Sequence, residues 1–165
     1  MKYKLKHYIK EIIIFIVVIT VLSNIISIYK SSELNTNNLD IVSLKLLDGS
    51  KYTLGNKPLL IHFWASWCPI CKLEAQNIQT ISNYYDVLTI AVKSGSNIDI
   101  QKYLDKHEYT YKVYNDYNAD LAAKYNVIAY PTTFIYDKDK KLIFSEVGYT
   151  STFGLWLRIL WAKYL

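Results

Sequence analysis

Residues 59–74 read Leu59-Leu60-Ile61-His62-Phe63-Trp64-Ala65-Ser66-Trp67-Cys68-Pro69-Ile70-Cys71-Lys72-Leu73-Glu74. The stretch Leu59 to Ala65 is a short apolar run, suited to a strand covered on both faces. Pro69 then fits a first helical turn, where its missing N–H would have no partner anyway. A helix is expected from Pro69 to about Tyr84. A buried strand that runs straight into a helix, with two cysteines at the junction, is the feature from which the rest can be read.

Outward from this unit, Val87 to Val92 reads as a second buried strand, followed by a helix from Asn97 to Glu108. A short strand at Tyr111 to Tyr114 and a short helix at Ala119 to Tyr125 follow. Thr132 to Tyr136 and Leu142 to Val147 flank the polar turn Asp137 to Lys141 as an antiparallel pair. The last helix spans Thr152 to Tyr164, and Phe153, Leu157, Leu160, Trp161 and Tyr164 form one stripe expected to dock on the domain. On the other side, Ile41 to Leu47, the turn Asp48-Gly49 and Ser50 to Leu54 read as a hairpin. Strands alternating with helices, then a terminal hairpin and helix, predict one α/β domain over 41–165 with a mixed central sheet.

The chain of 165 residues carries a net charge of +5, which invites a nucleic-acid reading. Its distribution argues otherwise: Lys2, Lys4, Lys6 and Lys10 against Glu11 put +3 in the first eleven residues and leave +2 over the other 154. No basic stripe remains to bind phosphates, and no nucleic-acid partner is expected. Residues Ile12 to Ile28 contain no charge and only Thr20, Ser23, Asn24 and Ser27 as polar side chains. A basic flank over 1–11, a single membrane-spanning anchor over 12–29 and a polar linker over 30–40 follow, with the domain outside the cytoplasm. A cleaved signal peptide is the alternative, although no A-x-A pair follows the apolar run.

Cys68 and Cys71 therefore belong to an exported domain. A bridge between residues three apart removes little chain entropy and is a poor staple. At the start of a helix, free N–H groups and the dipole favour a thiolate, the reactive form of cysteine. On a helical wheel, Ile70, Glu74, Ile78 and Ile81 share an apolar arc, Cys71 lies at its edge, and Cys68 lies further towards solvent. Cys68 is then the attacking thiol and Cys71 the resolving one. Glu74, inside the arc, is either a desolvated acid that exchanges protons with Cys71 or a glutamate at the rim. His62, within the covered strand, is either a proton relay or a hydrogen-bonded core histidine. Tyr130-Pro131 precedes a strand, as a cis bond beside the thiols or as an ordinary strand-starting proline.

The run F-W-A-S-W-C-P-I-C-K-L-E, with Y-P-T-T-F-I about sixty residues later, resembles the membrane-anchored, TlpA-like branch of the thioredoxin superfamily. The ending G-Y-T-S…G-L-W-L-R-I-L-W-A is most similar to the branch related to the suppressor-of-copper-sensitivity D protein. The resemblance covers about Ile41 to Tyr164 and implies a thioredoxin-like fold. It implies that Cys68 is the nucleophile, that Cys71 resolves, that Pro131 is cis and lines a substrate groove, and that Glu74 tunes the pair. Trp67, Pro69 and Tyr130 complete its motif. His62 stands where many thioredoxins hold a buried aspartate, a departure from their proton relay.

The expected activity is thiol–disulfide exchange on exported proteins, more as a reductant than as an oxidant, from the bacterial inner membrane. A thiol–disulfide donor or acceptor in the membrane would exchange electrons with it, and no cofactor is needed. Reduction of apocytochrome c thiols is a neighbouring role; the chain is no haem carrier, because Lys72 stands where C-x-x-C-H requires histidine. Cu(I) binding by the two thiolates, with His62 as the only other candidate ligand, is a reading from a different class. A purely docking module, indifferent to its cysteines, is a third.

Overall fold

The computed structural model describes residues 2–31, 34, 39 and 43–164, and within 2–31 the side chains of residues 7–15, 17–19, 21, 22 and 25. Helix α1 (Lys2–Ser31) has 30 residues and, at 1.5 Å per residue, is ~45 Å long. Its apolar side chains from Tyr8 to Ile25, where described, are exposed. Among the described residues no helix is long and apolar enough to cross a membrane. The charge-free stretch includes residues 16, 20, 23, 24 and 26–28, whose side chains lie outside the described ones. Most of the expected linker over 30–40 also lies outside them, but Leu34 and Leu39 pack on the domain.

The hairpin is shorter than its apolar pattern suggested. Strands β1 (Leu44–Lys45) and β2 (Lys51–Tyr52) pair over two residues each, and Ile41 and Val42 lie outside the described residues. Gly49 takes the left-handed turn conformation at φ +84°, and the Ser50 N–H caps the Asp48 carboxylate at 2.9 Å. Leu47 donates its N–H to Val113 O at 2.8 Å, so the chain leaves the hairpin to tie onto the main sheet.

That sheet has five strands: β3 (Leu59–Trp64), β4 (Asp86–Val92), β5 (Lys112–Asp116), β6 (Thr132–Tyr136) and β7 (Leu142–Val147). Their order is β5-β4-β3-β6-β7, with β3, β4 and β5 mutually parallel and β6 and β7 antiparallel. Helices α2 (Pro69–Ser82), α3 (Asn97–His107) and α5 (Thr152–Tyr164) cover one face, and α4 (Asp120–Lys124) with the hairpin covers the other. Period-two alternation along β3 feeds both cores: Leu60 and Trp64 enter one, Leu59, Ile61 and Phe63 the other. His62 lies between Leu60 and Trp64 on the face of α2.

Two differences from the sequence expectation have clear causes. Strand β5 extends through Asn115 and Asp116, poor strand formers, because the buried Asp116 carboxylate accepts the N–H groups of Leu121 and Ala122 at 3.1 and 2.8 Å. It thereby caps α4, whose N-cap residue Ala119 has no capping side chain. Helix α5 docks through Leu155, Ile159 and Ala162. The stripe expected to dock is on its other side, with Phe153, Leu157, Trp161 and Tyr164 exposed. Both sides of α5 are apolar, and the wheel alone does not say which one turns inward.

Candidate active site

The turn between β3 and α2 is held by the loop that follows β4. The Ser66 N–H donates to Ser94 Oγ at 2.9 Å, and Ser94 Oγ donates in turn to Val92 O at 3.0 Å. The Trp67 indole donates to Lys93 O at 3.1 Å. Lys93 is in the left-handed region at φ 44°, an uncommon conformation for a residue other than glycine. Ser94 is buried and was not singled out from sequence. The signal for it was a polar run at the carboxyl end of a buried strand, where sites of α/β sheets gather.

Cys68 occupies the N-cap of α2, with extended backbone at φ −81°, ψ 116°, and Pro69 takes the first helical position. Cys68 and Cys71 form a disulfide. The Cys71 N–H donates to Cys68 Sγ at 3.2 Å, so an unpaired donor of the helix start is aimed at that sulfur. Tyr130–Pro131 is cis, and Tyr130 O lies 3.6 Å from Cys68 Sγ. In the disulfide form that sulfur has no proton, and the approach is a contact; a reduced thiol there would have an acceptor. The Trp67 and Tyr130 rings meet edge to face, 5.9 Å apart.

The wheel argument for unequal cysteines needs correction. Cys68 is 5% exposed and Cys71 2%, while Ile70, placed in the apolar arc, is 46% exposed. Cys68 is a cap outside the helical repeat, and Tyr130 leans over it. What separates the two sulfurs is hydrogen bonding: Cys68 Sγ receives the N–H of Cys71.

Glu74 is fully buried, and burial pushes its carboxyl up to about 8. The Thr150 N–H donates to Oε1 at 3.1 Å and opposes that shift, while Oε2 has no partner. Asn77, one turn on, donates to Thr150 O at 3.0 Å and to Tyr149 Oη at 3.1 Å. Gly148 N–H, in the same loop, reaches Pro131 O at 2.8 Å. One hydrogen-bonded path therefore joins α2, the loop before α5 and the cis-proline. Thr150 and Asn77 carried no local sequence signal, because their partners are more than seventy residues apart in the chain.

His62 is buried, and its Nδ1 shares a hydrogen bond with Thr133 Oγ1 at 2.9 Å, across the β3–β6 pair. Burial holds it down at about 3, so the ring is neutral at ordinary pH. Among the described residues no group of three or more His, Cys, Asp or Glu side chains is arranged to hold a metal ion.

Comparison with known proteins agrees with this arrangement. A family model described as the AhpC/TSA family matches residues 31–145. A thioredoxin-like protein of Haemophilus influenzae is 28% identical over 165 residues, covering 97% of this chain and 95% of that one. Sporulation thiol-disulfide oxidoreductase A of Bacillus subtilis is 25% identical over 114 residues, covering 64% of this chain and 69% of its own length. The solved structure of the exposed lipoprotein thioredoxin Etrx1 of Streptococcus pneumoniae superposes with a TM-score of 0.64 at 27% identity, over 72% of this chain and 96% of that one.

Proposed function

The chain belongs to the AhpC/TSA family, with a thioredoxin-like fold, and from that premise we propose a membrane-anchored thiol–disulfide oxidoreductase that reduces disulfides of exported proteins. Relatives named thiol-disulfide oxidoreductases support the reaction class. The observation that carries the assignment of roles is the Cys71 N–H aimed at Cys68 Sγ at the N-cap of α2. That donor stabilises negative charge on Cys68, making it the nucleophile.

The cycle balances without a cofactor. The Cys68 thiolate attacks one sulfur of a substrate disulfide, forms a mixed disulfide and expels a substrate thiolate, which takes a proton. Deprotonated Cys71 then attacks Cys68 Sγ and releases the second substrate thiolate. Two electrons pass to the substrate, and the chain is left with the Cys68–Cys71 disulfide. Glu74 is the group proposed to take the proton from Cys71. Pro131, Tyr130 and Trp67 border the sulfur that a substrate must reach. A membrane dithiol donor would regenerate the pair.

Anchoring is supported by the charge-free stretch after Lys2, Lys4, Lys6 and Lys10, and by the exposed apolar side chains of α1. The proposed organisation is a flank over 1–11, an anchor over 12–29, a linker over 30–40 and a catalytic domain over 41–165. Reduction rather than oxidation is supported by the resemblance to the TlpA-like branch.

Alkylation of the reduced chain near neutral pH is expected to modify Cys68 faster than Cys71. Cys71→Ala is expected to trap mixed disulfides, and Cys68→Ala to trap few. Equal alkylation rates with equal trapping would overturn the roles. An equilibrium potential near about −270 mV fits a reductant, and one near about −120 mV would reverse the direction.

A further inference from the structure

Helix α5 has an apolar surface that its own domain does not use. Its inward side, Leu155, Ile159 and Ala162, is buried. Its outward side carries Phe153, Trp156, Leu157, Leu160, Trp161 and Tyr164 within about 140° of arc at 100° per residue. Trp161 is 63% exposed and Tyr164 79%. The surface is corrugated. Phe153 and Trp156 border a hollow of about 530 Å³ with Tyr84 and Tyr85, just past the end of α2, and Leu157, Leu160, Trp161 and Tyr164 border another of about 380 Å³. Exposed apolar surface of this extent marks a contact with something else.

Three observations choose the occupant. The exposed rings are mainly Trp and Tyr, which pair an apolar body with a polar tip and suit the layer between headgroups and acyl chains. From Thr150 to Leu165 there is no acidic residue to repel anionic headgroups; Lys163 adds a positive charge, and Arg158 is paired with Glu146. The third is position. Arg158, at the flank of the stripe, bonds Glu146 of β7 at 2.9 Å and lies over the Phe144 ring, so this side of α5 turns towards β7. Helix α1 also comes close to β7. The apolar anchor helix and the apolar stripe thus share one edge of the domain.

We infer that the outward face of α5 lies in the interfacial layer of the bilayer that α1 anchors, so that the catalytic domain rests on the membrane instead of swinging free on its linker. The inference rests on the anchored reading above. A domain held in this way presents its dithiol at a set height and orientation to a donor embedded in the same membrane. Phe153 and Trp156 meet the bilayer beside Tyr84, and Trp161 and Tyr164 meet it nearer the chain end.

All four tryptophans, Trp64, Trp67, Trp156 and Trp161, belong to the domain, and α1 has none, so tryptophan emission reports on the domain alone. The full chain is reconstituted in vesicles of phosphatidylcholine and phosphatidylglycerol in equal parts, with and without bromine on the acyl chains. Flotation reads anchoring independently. Brominated lipid is expected to quench part of the emission, and Trp156→Phe combined with Trp161→Phe is expected to abolish that quenching while leaving the Trp64 and Trp67 signal. Both residues are exposed, and unchanged circular dichroism would show that the variant is folded. A chain that floats with the vesicles but is not quenched, or whose quenching survives in the double variant, overturns the inference and leaves the anchor standing. An unsubstituted chain that is not quenched and whose α5 helices cross-link chemically assigns the stripe to a second copy and overturns it too. A chain that does not float overturns the anchored reading and this inference with it.

Discussion

Glu74 and His62 sit on the two elements that meet at Cys68, one on the helix and one on the strand, and both are buried. Burial disfavours the charged form of each, which moves an acid up and a base down. The Glu74 carboxyl rises to about 8, into the range where the chain would work, whereas His62 falls to about 3 and out of it. The same physical cause leaves one group able to exchange a proton and the other fixed as a neutral support. Their partners fit this division. Glu74 has one oxygen bonded to the Thr150 N–H and one without a partner, and His62 is bonded across the sheet to Thr133.

The largest expected effect is on stability against pH. An unfolded Glu74 ionises near 4.5 and the folded one only near 8, so between these values the folded state holds the extra proton. Its contribution is complete below pH 4.5 and is lost as pH rises through 8. His62 works in the opposite sense: with 6.5 unfolded and about 3 folded, its contribution is complete above 6.5 and is lost as pH falls through 3. The two slopes oppose each other between 4.5 and 6.5. Glu74→Gln keeps an acceptor for Thr150 N–H and removes one slope. Urea denaturation should find it level with the unsubstituted chain near pH 5 and more stable above pH 8, by on the order of a few kcal/mol. Parallel curves across that range would break the contrast at Glu74.

A smaller effect is expected on the sheet side. Thr133→Val keeps the shape of the side chain and removes the partner of His62 Nδ1, leaving a buried polar atom unpaired. The cost should be about 1–3 kcal/mol at neutral pH by denaturant unfolding. If His62 is a passive support, the pH dependence of thiol reactivity stays unchanged. A shifted profile would make His62 part of the proton path.

How far these features were legible in the sequence depended on the range of the interaction. Leu59 to Ala65, Cys68, Pro69 and Cys71 act through neighbours in the chain, and the strand, the helix start and the thiol pair could be read directly. The burial of Glu74 was legible from its place among Ile78 and Ile81, but Thr150 as its partner was not, since only folding brings them together. Ile70 was misplaced because a helical wheel gives the side of a helix and not how far the core reaches along it, and Ile70 stands in the first turn of α2, where that side is exposed. The α5 stripe was inverted for a different reason: Phe153, Leu157, Leu160, Trp161 and Tyr164 share one face, but Leu155, Ile159 and Ala162 make the opposite face apolar too, and periodicity does not choose between them. The smaller set docks because it fits closely against α2 and the sheet.

The smallest expected effect tests the contrast where it bears on the reaction. Glu74 lies three residues beyond Cys71 on the same helix, and a charge on it opposes a second negative charge on that sulfur. The acid and the thiols then titrate as a coupled set, and the observed steps belong to the set. Neutralising Glu74 with Gln should lower the apparent thiol pKa and move the alkylation profile of the reduced chain to lower pH, by less than about one unit. Cys71 should show the larger part of the shift, because Cys68 is held by the N–H of Cys71 and not by the carboxyl. Thr133→Val, measured in the same way, should leave both thiols where they were. Coincident profiles for Glu74→Gln and the unsubstituted chain would reduce Glu74 to a tether for the Thr150 loop, equal in kind to His62 on the sheet.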